Sequence, residues 1–190
     1  MNEDRTSKKL LQLLENDLAV RARLVNENNL TGVYHPEMEE VHKDNADELR
    51  QIIKEIGFPG ISKVGKEASE AACLIIQHSI AEPAFMKACY QLMLENESDI
   101  NKKYLAYLHD CILYFEGMPQ RYGTQLNSDG TIYPVIDVEQ LNDLRLQYGL
   151  TPVSQEDMGH ILPTEDIEWL EAQNSGYTQW RNKVGWKSRP

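Results

Sequence analysis

The sequence predicts a mainly α-helical domain, α+β in class, with one small β-hairpin around residues 122–136. Three observations predict it. Apolar residues recur at helical spacing over most of the chain. The period then shortens to two β-prone runs flanking Asn127-Ser128-Asp129-Gly130. The length, 190 residues with an apolar share of 41%, is enough to bury one substantial core in a single folding unit.

The first helix is expected from about Asp4 to about Glu27, where Leu10, Leu11, Leu14, Leu18 and Val20 form an apolar stripe among Lys, Glu and Asp. In "NADELRQIIKEIGFPG", Asn45 reads as an N-cap with Glu48 three residues on, and Gly-Phe-Pro-Gly as the stop. "SKVGKEASEAACLIIQHS" is a helix whose Ala68, Ala71, Ala72 and Ile75 allow a neighbour to approach closely. Pro83 suits the first turn of the next helix. The segment from Tyr104 to Phe115 is apolar on nearly every face and is expected to be buried. Gly130 can supply the positive φ of the hairpin loop, and Pro134 fits an edge strand. A short helix follows between Asp137 as cap and Gly149 as terminator, and a last helical stretch carries Trp169, Trp180 and Trp186.

Composition excludes several partners. A net charge of −11 argues against nucleic acid and anionic membranes, because binding a polyanion relies on clustered Lys and Arg. No apolar run approaches the roughly 20 residues of a membrane span, and the first residues lack a signal-peptide pattern, so the expected location is the cytoplasm. Cys73, Cys89 and Cys111 form no CxxC pair and read as buried thiols. There is no phosphate loop, HExxH or GxSxG. His35 and His42 in "YHPEMEEVHKD" are ligand types in proximity, but Pro36 and the surrounding acids favour an exposed face.

Two residues stand out inside the helices. Asp110 is the single acid between Tyr104 and Phe115, and a buried carboxylate must be paired or hydrogen-bonded. His78, beside Gln77, ends an apolar helix, where a cation also suits the helix C-terminus. If these two helices pack together, His78 meets Asp110, and the segment Gln120 to Gln125 leaves the second helix close by. His78, Asp110 and Arg121 would then form a catalytic group, with Gln77, Gln120, Tyr122, Thr124 and Gln125 binding substrate. The bland alternative pairs Arg121 with Asp110 structurally and uses the amides to cap backbone. No second histidine or thiolate is spaced to join His78, so no metal and no cofactor is expected.

"VGKEASEAACLIIQHS", "YLAYLHDCILYFEGMPQRYGTQ" and "PVIDVEQLNDLRLQYGL" resemble successive blocks of a mostly bacterial family, domain of unknown function 6624. The resemblance runs from about Phe58 to Leu150 and rests most on the hexapeptide Gln120-Arg121-Tyr122-Gly123-Thr124-Gln125, with Gln77-His78 and Asp110. His109 and Cys111 depart from the family, which often carries Thr and Arg there, so no family role passes to them. The resemblance covers a family-like core over 58–150; outside it, periodicity gives N-terminal helices over 1–57 packed on that core, and 151–190 form a tryptophan-containing extension, all in one folding unit as the length suggests.

Two functions follow. One is a metal-independent hydrolase or group-transfer enzyme acting on a small anionic or amide molecule. The other is an acidic, non-catalytic interaction protein, an immunity or regulatory factor, that binds a basic protein partner.

Overall fold

The computed structural model describes residues 2–187. They are mainly helical, and the chain divides at Asn101 and Lys102 into two compact units. The segment 58–150 expected as a core is therefore shared between the two. Among the described residues no helix is long and apolar enough to cross a membrane.

The first unit holds α1 (Asn2–Asn26), α2 (Pro36–Ile56), α3 (Ile61–Val64), α4 (Lys66–His78) and α5 (Pro83–Glu95). α1 packs on both α2 and α4, and α2 packs on α4. The buried line of α1 is Leu10, Asp17 and Leu24, each seven residues from the next and each without solvent exposure. Leu11 and Leu18 are exposed, which corrects the expected stripe. α2 also begins earlier than expected. Its N-cap is His35, whose Nδ1 accepts from the Glu37 amide (3.3 Å), with Pro36 in the first turn. Asn45 is no cap but a buried mid-helix residue that donates to the Leu13 carbonyl (3.3 Å). The small residues of α4 are buried as expected, and Pro83 opens α5.

The second unit holds α6 (Lys103–Glu116), α7 (Leu141–Gln147), α8 (Gln155–Gly159), α9 (Ile167–Ala172) and α10 (Ser175–Val184). α6 is buried along Leu105, Leu108, Asp110, Cys111 and Phe115, and closes on Gly117 at φ +70°. The final helical stretch is two helices. Arg181 on α10 lies inside the unit, donating to the carbonyls of Tyr114 (3.0 Å) and Phe115 (3.2 Å) and to Glu171 (2.6 Å), while Trp186 stacks on Phe115.

The predicted β-hairpin does not form, and the described residues contain no β-strand. Between Gln120 and Ile136 there are two isolated bridges, Gln120 with Val135 and Leu126 with Ile132, around a turn with Gly130 at φ +86°. The reason is hydrogen-bond competition. A ladder needs backbone N–H and C=O groups on both runs; some do pair, as Tyr133 N–H with the Gln125 carbonyl (3.0 Å), but side chains claim several of the others. Asp110 takes the amides of Arg121, Tyr122 and Thr124, and Gln120 takes the amides of Thr124 and Gln125 and the carbonyls of Gln125 and Tyr133. Pro134 adds no donor.

Cys73, Cys89 and Cys111 are free and buried, and burial pushes each thiol up to about 12.

Candidate functional site

The polar centre of the first unit is built from three helices and one loop. α1 supplies Asp17 from the middle of its buried line, α2 supplies His42, the last residue of α4 is His78, and the loop before α2 supplies Tyr34. Asp17 bridges the two imidazoles: His42 Nε2 lies 3.2 Å from Oδ1, and His78 Nδ1 lies 2.7 Å from Oδ2. The two rings are tilted with centroids 5.3 Å apart. Tyr34 Oη is 2.5 Å from His42 Nδ1. The Asp17 side chain is 0% exposed, His42 11% and His78 29%, so the cluster is dry at the carboxylate and wet at His78.

Electrostatics follow from that placement. Burial alone would raise the Asp17 carboxyl, but the hydrogen bonds from His42 and His78 and their charge outweigh it and hold the group well below the usual carboxylate range. Burial, with the charges of Glu39 and Asp17, pushes the Tyr34 phenol up. An ionised carboxylate only accepts, so both facing ring nitrogens donate. With its ring neutral, His42 Nδ1 accepts from the Tyr34 hydroxyl. Among the described residues no partner reaches His78 Nε2.

These side chains line a cleft of about 380 Å³, within the size range of small-molecule sites. Its other walls include Leu30, Thr31, Val33 and Met38, with Arg21 exposed at the edge and making no ion pair among the described residues. Two chemistries are open to the cluster. His78 Nε2 can take a proton while Asp17 steadies the ring, or the three converging atoms can all donate to a cation.

The residues expected to form one site fall into two groups. Gln77 and His78 are in the first unit, where the carboxylate that meets His78 is Asp17 in place of the expected Asp110. Asp110, Gln120, Arg121, Tyr122, Thr124 and Gln125 are in the second. Fully buried Asp110 accepts from the backbone amides of Arg121 (2.9 Å), Tyr122 (3.0 Å) and Thr124 (3.1 Å) and from the Thr124 hydroxyl (3.1 Å). His109 Nδ1 is 3.3 Å away. Gln120, also fully buried, makes four hydrogen bonds to backbone groups. Gly123 sits at φ +63° against Leu141, a conformation that disfavours a side chain. The Arg121 side chain is exposed, with its guanidinium 5.7 Å from the Tyr122 ring centroid and no ion pair to Asp110. The hexapeptide is a loop folded around two buried side chains.

A model of a family of unknown function, DUF6624, matches residues 4–162. The chain belongs to this family. No curated protein and no solved structure matches it. The DUF6624 match reaches well beyond the segment 58–150 and takes in Asp17, Tyr34, His42 and His78 as well as Asp110 and the hexapeptide. Sequence reasoning about this DUF6624 chain missed Asp17, Tyr34, His42 and Arg21. A signal for Asp17 was present in an acid spaced seven residues from Leu10 on one side and Leu24 on the other.

Proposed function

We propose that this protein is a small enzyme of the hydrolytic or group-transfer class, acting on a small anionic molecule in the Asp17, His42 and His78 cleft. One observation carries the reading: a carboxylate with no solvent exposure bridges two imidazoles on the wall of an open cleft. Burying a charge for structure alone is costly, and packing needs no such group at that point in α1. Perturbed titratable groups in a cleft are typical of sites that handle protons. In hydrolysis, water oxygen bonds to the acyl or phosphoryl centre, and the leaving oxygen or nitrogen takes the bonding pair and a proton. Asp17 and its imidazoles activate the water. Arg21 at the rim supplies the positive charge for an anionic substrate.

The test is a turnover screen of the full chain against pooled phosphate esters, carboxylate esters and amides. Asp17→Asn and His78→Gln should each lower kcat by about 100-fold or more with the fold intact by circular dichroism. Arg21→Ala should raise KM about tenfold with kcat little changed. Full turnover in both Asp17→Asn and His78→Gln overturns the reading. The net charge of −11 favours a second one, an acidic binding factor for a basic protein. Salt-sensitive capture of such a partner, unaffected by the same two substitutions, would support it.

A further inference from the structure

We propose that Asp17, His42 and His78 are the protein ligands of one divalent transition-metal ion. This deepens the hydrolytic reading and rests on it only for the use to which the ion is put. One ligand atom from each of Asp17, His42 and His78 lies within 4.8 Å of the other two, and among the described residues no other group of His, Cys, Asp and Glu converges in this way. An ion bonded tetrahedrally at about 2.0–2.2 Å to two donors holds them about 3.3–3.6 Å apart. The observed separations, 3.2 Å from His42 Nε2 to Oδ1 and 2.7 Å from His78 Nδ1 to Oδ2, are shorter than that span by less than about 1 Å, so side-chain shifts of that size admit the ion.

The donor set selects the metal. Two imidazoles and one carboxylate suit zinc, manganese, iron or cobalt, whereas magnesium and calcium prefer oxygen ligands throughout. Three protein ligands leave positions for water and substrate, and the cleft opens on that side. Ligand histidines also use their outer nitrogen to fix the ring. His42 has such a partner in the Tyr34 hydroxyl at 2.5 Å, and metal at Nε2 would leave Nδ1–H to donate to it. The three ligands come from α1, α2 and α4, so helix packing sets the geometry.

Metal-stripped full-length protein titrated with Zn²⁺, Mn²⁺ and Co²⁺ by calorimetry, with Co²⁺ absorption as a second readout, tests this. Wild type should bind one ion per chain. His78→Gln, at the exposed side of the cluster, should weaken binding by about 100-fold, and Tyr34→Phe by about tenfold, because outer-shell partners typically matter 10–100-fold. Asp17→Asn should abolish it. If Asp17→Asn fails to fold, the His78→Gln and Tyr34→Phe pair decides alone. No binding by folded wild type, or equal binding by wild type and His78→Gln, overturns the site. Stoichiometric binding with no turnover in any screened pool supports the ion site and counts against the hydrolytic reading alone.

Discussion

Asp17 and Asp110 are both withdrawn from water, and their neighbours give them opposite uses. Asp110 faces backbone amides fixed by the chain that follows α6, and those bonds hold the 120–125 loop. An amide at position 110 would turn an NH2 group towards those donors whichever way it flips. Asp110→Asn should therefore cost at least about 3 kcal/mol in urea unfolding, since bonds to a charged acceptor contribute roughly 1.5–3 kcal/mol each. Arg121→Ala removes an exposed side chain and should stay within about 0.5 kcal/mol of wild type. A loss from Arg121→Ala as large as that from Asp110→Asn would show that the guanidinium supports the carboxylate after all. Asp17, in contrast, faces side chains on other helices and a cleft, where its partners can exchange a proton for a cation.

At the level of the helix, the buried face of α1 is the point on which the site depends, because the rotation that buries Leu10 and Leu24 also turns Asp17 towards α2 and α4. Leu10→Ala or Leu24→Ala should each cost about 2–5 kcal/mol, and Leu18→Ala less than about 0.5 kcal/mol. Equal costs for Leu18→Ala and Leu10→Ala would mean that the helix is turned differently. Most helices were legible in the sequence, because periodicity, Pro83 and the small residues of α4 act locally. The face of α1 was not, since Leu10, Leu11, Leu14 and Leu18 offer two leucine-rich sides and only one of them avoids burying an acid. The chain buries it. The hairpin was misread for a related reason: the β-prone runs carry the right residues, but Asp110 and Gln120 compete for their backbone groups from elsewhere in the chain. His78 was legible as an oddity, while its partners Asp17 and His42 lie on other helices and meet it through tertiary packing alone.

For the molecule as a whole, 30 acidic side chains stand against 19 basic ones, and a carboxylate held by buried cations contributes to the response to low pH. In the second unit Glu171 is bonded by Lys187 and Arg181, both at 2.6 Å. Burial would raise the Glu171 carboxyl, but those two bonds and charges prevail and lower it from its ordinary 4.5. A depressed native value adds stability that is complete above about pH 4.5 and is lost as pH falls through the native value, because the unfolded chain takes up the proton first. Glu171→Gln should flatten that acid limb in a series of unfolding curves, and an unchanged limb would show that the pairing contributes nothing. In the first unit the governing claim is that Asp17, His42 and His78 act as one centre. Its most direct measurement is an anomalous-difference map from crystals of the full chain soaked in Mn²⁺ or Zn²⁺ and recorded at the metal edge. The account predicts one strong peak about 2.0–2.3 Å from an Asp17 carboxylate oxygen, His42 Nε2 and His78 Nδ1. Metal bound only at other sites, with Asp17 still hydrogen-bonded to both rings, would contradict it.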